Sequence, residues 1–158
     1  MDLDEFDRRL LEALQHNSHE IGEELAKLTH LSPAACLRRA KRLRDEGIIL
    51  ADVSIVAPEA VGRPLMMIVL VTLEHEQIEI IESFKRSVRS DVEIMQCYYV
   101  TGPADFVLIV SAADMAGYEA FTRRYFFGNP NIRRFETLVV MDRVKFGTFI
   151  PTHSSAPV

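Results

Sequence analysis

The sequence predicts an α+β chain in two parts: three short helices, then a run of strand, helix, strand, strand, helix, strand. Three observations carry this. Apolar residues recur at helical spacing through the first 50 residues, strand-like apolar runs take over from Leu65, and residues 58–64, with a proline at each end and Gly62 between, separate the two. At 158 residues with 48% hydrophobic and 26% charged side chains, the chain is long and apolar enough to bury two small cores.

Leu3, Phe6, Leu10, Leu11 and Leu14 fall on one helical face, with Asp2 or Asp4 available as the amino cap and acids in the first turn. His16-Asn17-Ser18 breaks that pattern. A second helix follows with Ile21, Leu25, Ala26 and Leu28; Gly22 stands at its start, where a polar cap is more usual, with no functional consequence expected. The turn Thr29-His30-Leu31 leads to the third, residues 32–46, with Ser32 as cap, Pro33 at the first helical position and Gly47 as left-handed stop. At about 100° per residue, Cys36, Leu37, Ala40 and Leu43 gather on its core side, and Ala34, Ala35, Arg38, Lys41 and Arg42 on the other.

Two helices joined by a short turn, with a preceding helix closing the core, make a helix-turn-helix. Residues 32–44 carry five Lys or Arg and no acid in a chain of net charge −5, so positive charge is concentrated on this helix. Small residues at its start let the backbone approach a DNA groove, and the cations beyond them reach bases and phosphates. An isolated basic helix face is more often simply solvated; the motif around it favours double-stranded DNA. The acidic balance of the whole chain excludes indiscriminate coating of nucleic acid.

Residues 48–56 read as an extended strand, a candidate wing. The second part comprises strand 65–73, helix 77–88, strand 92–100, a Thr101-Gly102-Pro103-Ala104 turn, strand 105–111, a helix from Asp114 carrying Met115, Tyr118, Phe121 and Tyr125, and strand 133–144. This order is a ferredoxin-like βαββαβ sandwich. Leu138-Val139-Val140-Met141 presents apolar groups to both faces of the last strand, so a second copy laid sheet to sheet is the simplest cover. The domains are therefore 1–50, a linker strand and hinge 51–64, 65–148, and a disordered tail 149–158.

Catalytic constellations are missing. His16, His19, His30, His75 and His153 show no metal-ligand spacing, Cys36 and Cys97 read as core residues, and no Gly-rich phosphate loop joins a strand to a helix. Asp45-Glu46 and Glu74-His75-Glu76 sit at helix ends, where charges are ordinary. The sequence thus predicts no enzyme, no metal and no cofactor. Residues 65–72, among the longest apolar runs, fall far short of the roughly 20 a membrane span needs, which predicts a cytoplasmic protein without membrane contact.

Leu-Ser-Pro-x-x-Cys-Leu-Arg-Arg, the Asp-Glu-Gly-Ile-Ile helix exit, Val-Thr-Gly-x-x-Asp-Phe and Val-Val-Met occur here in one order, and the chain so resembles the Lrp/AsnC family from Leu3 to about Thr148. The resemblance implies a winged-type helix-turn-helix joined to a ferredoxin-like, RAM/ACT-like domain, in a sequence-specific transcriptional regulator. It implies a homodimer that assembles further, to an octamer, and a small effector, an amino acid, bound between dimers. DNA-binding residues are then Ser32, Pro33, Ala34, Ala35, Arg38, Arg39, Lys41 and Arg42. Effector-binding residues are Tyr98, Val100, Thr101, Gly102, Asp105, Met115, Leu138, Val139 and Val140. Exposed amides at a turn glycine hold a carboxylate, and an aspartate accepts from an ammonium, so Gly102 and Asp105 have the chemistry for an amino acid backbone. Pro103 departs from the family's aspartate at that position and offers neither acid nor amide hydrogen. Two other readings stay open: an effector-independent architectural protein that wraps DNA, and a ligand-sensing module whose helix-turn-helix binds protein.

Overall fold

The computed structural model describes residues 2–20, 22–75 and 77–152; Ile21, Glu76, His153 and the rest of the tail lie outside them. The chain divides into a helical unit, 1–54 with 145–158, and a sheet unit, 55–144.

In the helical unit, α1 (Glu5–His16), α2 (Gly22–Thr29) and α3 (Pro33–Asp45) surround Leu10, Leu11, Leu14, Leu25, Cys36, Ala40 and Leu43. Asp4 is the cap of α1: its carboxylate accepts from the Asp7 amide at 2.8 Å, and the Asp7 carboxylate accepts from the Asp4 amide at 3.3 Å. Ser32 caps α3, accepting from the Ala35 amide at 3.3 Å. At the other end the Ile48 amide reaches back to the Leu43 carbonyl at 2.9 Å around Gly47, whose φ is 70°. Inside, the Thr29 hydroxyl donates to the Leu25 carbonyl at 2.7 Å and lies 3.2 Å from the Cys36 sulfur.

Three residues depart from the helical pattern, among them Phe6, which is exposed with the Arg39 guanidinium over its ring. Leu37 is not core but 56% exposed. Gly22 explains why: a Cβ there would stand 3.1 Å from the Pro33 carbonyl oxygen and 3.2 Å from Leu37 Cγ, so α2 begins tight against the first turns of α3, with Leu37 lying over it. The glycine read from sequence as a weak cap is a packing requirement. Leu28 is also exposed, leaving Leu25 as the fully buried leucine of α2.

The sheet unit holds β1 (Leu65–Leu73), α4 (Ile78–Ser90), β2 (Ile94–Tyr99), β3 (Phe106–Ala112), α5 (Met115–Thr122) and β4 (Ile132–Val139). Neighbours in the order β2-β3-β1-β4 are all antiparallel. Met67, Val69 and Val71 of β1 and Phe106, Leu108 and Val110 of β3 are fully buried with Phe84, Val88, Tyr118, Phe121 and Phe126 from the helical layer. The alternate residues Ile68, Leu70, Val107, Ile109 and Leu138 line the other face in register, opposite the face on which α4 and α5 pack among the described residues.

Boundaries differ where partners run out. β4 stops at Val139 rather than 144, because its partner β1 begins at Leu65 and the Val140 amide, bonded to the Met66 carbonyl at 2.9 Å, makes the last rung. α5 gives way after Thr122 to a π-helical turn, Arg123–Phe127. That wider turn puts Phe126 in the core, 4.5 Å from the Phe135 ring, while the Tyr125 hydroxyl meets Ser87 at 2.7 Å. Burial holds the Tyr125 phenol up at about 12, against a lowering by that hydrogen bond. Residues 50–57 form no strand, so the expected wing has no ladder here. In the tail expected to be disordered, Ile150 and Thr152 are hydrogen-bonded to α1.

Candidate DNA-binding face and effector region

α3 carries five cations, and four are committed to acids. Lys41 pairs with Asp45 at 2.6 Å and Arg44 with Asp52 at 2.8 Å, both at the surface. Arg39 and Arg42 converge on Asp7 of α1, whose side chain is 2% exposed. Arg39 Nη1 donates to Asp7 Oδ1 at 2.8 Å and to Asp4 Oδ2 at 2.7 Å, and its guanidinium stands 5.8 Å over the Phe6 ring. Arg42 Nη2 lies 2.7 Å from Asp7 Oδ2, paired by distance but not aligned as a hydrogen bond. Arg38 is exposed and, among the described residues, has no acidic partner. The sequence-predicted residues Ser32, Pro33, Ala34, Arg38 and Lys41 share the open face; Ala35, Arg39 and Arg42 are half-buried beside it. The role of Asp7 was missed, although an acid in the third position after a capping aspartate is a capping-box signal.

His30 makes the turn between α2 and α3 at φ 60°, a left-handed conformation that histidine tolerates better than most side chains. The Asp4 carboxyl is held below its ordinary range first by the Asp7 amide and then, against partial desolvation, by Arg39. A depressed folded-state pKa contributes stability above the unfolded value and loses it as pH falls through the folded one. Asp4→Asn keeps a cap oxygen and removes the charge. Its melting temperature is expected below the wild type by a constant margin above about pH 5, the margin closing below about pH 4, as circular dichroism melts across pH would show.

The nine effector-region residues do not form one cluster in the sheet unit. Tyr98 lies in β2 and Val100, Thr101, Gly102 and Asp105 in the turn after it, whereas Leu138 and Val139 end β4 and Val140 follows directly, its amide bonded to Met66. β2 and β4 are the two edges of the sheet, three strand spacings or about 14 Å apart. Gly102 has φ 126°, a conformation open to glycine, and stands in open space. Asp105 is half-buried and already employed: its Oδ2 accepts from the Leu73 amide at 2.7 Å, its amide donates to the Val71 carbonyl and its carbonyl accepts from Val100, each at 2.9 Å. It continues the β1–β3 pairing beyond Phe106.

Met115 opens α5 beside a groove of about 750 Å³ lined by Tyr118, Glu119, Thr122, Arg123, Phe127, Gly128 and Phe135. Sequence periodicity had marked Tyr118 only as core, and it had no means of marking Phe127, whose exposure follows from the π-turn. Burial raises the Tyr118 phenol, offset by its hydrogen bond with Thr137 at 2.5 Å. Among the described residues no three His, Cys, Asp or Glu gather as metal ligands, and no helix is long and apolar enough to cross a membrane.

Residues 3–44 match the AsnC-type helix-turn-helix domain and residues 66–149 the Lrp/AsnC ligand binding domain. The chain belongs to the Lrp/AsnC family. An uncharacterised HTH-type transcriptional regulator of Sinorhizobium fredii is 56% identical over 96% of this chain and 89% of its own length. The leucine-responsive regulatory protein of Haemophilus influenzae is 34% identical over 94% and 89%. Among solved structures, a Neisseria meningitidis transcriptional regulator in complex with L-Met aligns over 95% of this chain and 97% of its own, at 29% identity and a TM-score of 0.88. An AsnC family regulator from Agrobacterium tumefaciens aligns at 29% identity and 0.87 over 94% and 97%. This Lrp/AsnC protein is a transcriptional regulator with a ligand-binding domain, not an enzyme, and its α+β class agrees with the sequence expectation.

Proposed function

We propose that this Lrp/AsnC regulator binds a pseudo-palindromic DNA site through paired α3 helices and responds to an amino acid held between copies of its sheet unit. The observation that carries the DNA reading is the commitment of four α3 cations, which leaves Arg38 beside the small residues Ala34 and Ala35 for base contact. Ser32, Pro33 and Lys41 then face the phosphates, while Arg39 and Arg42 orient the helix through Asp7. Homodimerisation covers Ile68, Leu70, Val107, Ile109 and Leu138, and further assembly, to an octamer, brings the β2 edge of one copy to the β4 edge of another. A site split between two edges of one sheet is completed only by a second chain. Tyr98, Val100, Thr101 and Gly102 then come from one copy and Met115, Leu138, Val139 and Val140 from its neighbour. The protein works in the cytoplasm, where both DNA and free amino acids are at hand.

A second reading, an architectural DNA-wrapping protein without effector, is favoured by two features of the turn: Pro103 lacks an amide hydrogen, and Asp105 is tied to Leu73. Thermal melts with each of the twenty amino acids separate the two, L-methionine first because a relative was solved with it. Ligand that binds only the folded state raises the melting temperature progressively above its dissociation constant. One such amino acid is the expected result; no shift with any of the twenty would give the architectural reading the lead.

A further inference from the structure

The segment after the sheet unit returns to the helical unit and is held there by side chains rather than by a ladder. The Gln15 side chain grips the Ile150 backbone at both ends, its Nε2 donating to the carbonyl at 3.0 Å and its Oε1 accepting from the amide at 2.7 Å. Arg8 Nη1 donates to the Thr152 carbonyl at 2.8 Å, and the His16 and Phe149 rings stand 4.9 Å apart. Arg8 and Gln15 lie seven residues apart on one stripe of α1, with His16 beside it; the stripe borders Leu11 and is turned away from Leu10 and Leu14. Two backbone amide groups read by one glutamine is a specific grip on an extended chain, and Arg8 adds a second hold two residues further on.

The helical unit is joined to the rest of the chain in front by residues 50–57, which have no regular structure. Arg44 holds Asp52 to α3, so the unanchored stretch is residues 53–57, and a five-residue chain without regular structure has a root-mean-square span of about 12 Å, against roughly 34 Å between half-sites one helical turn apart. One such linker leaves the placement of α3 loose. The segment 145–152 follows β4, and its residues Phe149, Ile150 and Thr152 attach to α1, which Asp7 in turn ties to Arg39 and Arg42 of α3. We infer that residues 145–152 are a second tether of the DNA-binding unit, and that Gln15, with Arg8, is a positioning residue that fixes the spacing at which two recognition helices meet DNA. The inference rests on the proposed reading of this protein as a paired DNA binder. Gln15 touches no DNA in this account; it acts on spacing through α1.

The test uses the full chain and a duplex selected from a random pool, re-made with one to five base pairs inserted between its half-sites, together with a duplex bearing one half-site. Wild type is expected to lose about tenfold in affinity at half a turn of mis-spacing, since one α3 then leaves its groove. Gln15→Ala is expected to keep the single half-site affinity, to flatten the spacing profile to within about threefold, and to exchange the amides of residues 146–152 faster. Arg8→Ala/Gln15→Ala should flatten it further. A Gln15→Ala profile as sharp as the wild type's, with the same amides released, would overturn the tether, and so would loss of half-site binding, which would show damage to α3 itself. If wild type selects no duplex or ignores spacing, it is the paired DNA-binding reading that has failed, and the amide exchange of 146–152 still reports whether Gln15 holds the segment.

Discussion

Asp7→Ala is expected to cost the helical unit about 2–4 kcal/mol, a large fraction of the 5–15 kcal/mol by which domains are stable. The carboxylate is almost wholly buried, and it serves two arginines of α3 and the amide that begins α1. Removing one member of a buried ionic cluster leaves its partners unpaired where water reaches them poorly. Arg39 is one-quarter exposed and retains Asp4, and Arg42 is 42% exposed with Glu46 at 3.9 Å, which holds the cost below that of a fully buried pair. Circular dichroism melts of Asp7→Ala and Asp7→Asn would check it. Asparagine keeps the shape and the backbone contact, so a loss shared by both variants identifies charge as the cause. A change under about 0.5 kcal/mol in both, the ordinary range of a surface substitution, would mean that Asp7 does not hold α1 to α3. The released arginines are also expected to steepen the salt dependence of DNA affinity by about one to two phosphate equivalents.

Arg38→Ala is expected to lower affinity for the preferred duplex by about five- to 150-fold, the 1–3 kcal/mol of a good side-chain contact to a base, and to leave folding unchanged. Its side chain is exposed and has no acid partner among the described residues, so its removal breaks nothing inside the unit. Lys41→Ala provides the contrast. Its pair with Asp45 is open to solvent and exchanges readily with a phosphate, so this variant should weaken binding alike on preferred and scrambled duplexes. Fluorescence anisotropy at several salt concentrations distinguishes the two patterns.

Much of the fold was legible because its signals are local. Ser32-Pro33 and Gly47 delimit α3, Asp2 or Asp4 marks the start of α1, and the apolar run along 65–73 gives the bounds of β1. The exact ends of β4 and α5 were not legible, since the first depends on where β1 starts and the second on an aromatic cluster that widens the helix into a π-turn. Helical angles placed Cys36, Ala40 and Leu43 inside but misplaced Leu37, whose surroundings are set by Gly22 on another helix. The same limit applies to the cations of α3. Their number and side of the helix are written in the sequence, whereas the division between Arg38, free for DNA, and Arg39 and Arg42, turned to Asp7, requires the packing of α1 on α3. The effector region came from family motifs alone, and a linear motif does not reveal that its halves lie on opposite edges of one sheet.

Selection of duplexes from a random pool with the wild-type chain, repeated with Arg38→Ala, tests most directly whether α3 reads DNA through its one uncommitted cation. A two-fold related consensus for wild type, with preference lost in Arg38→Ala at one base pair of each half-site and kept elsewhere, is the predicted result. The same consensus recovered at full strength by Arg38→Ala, or no consensus from the wild type, would contradict it.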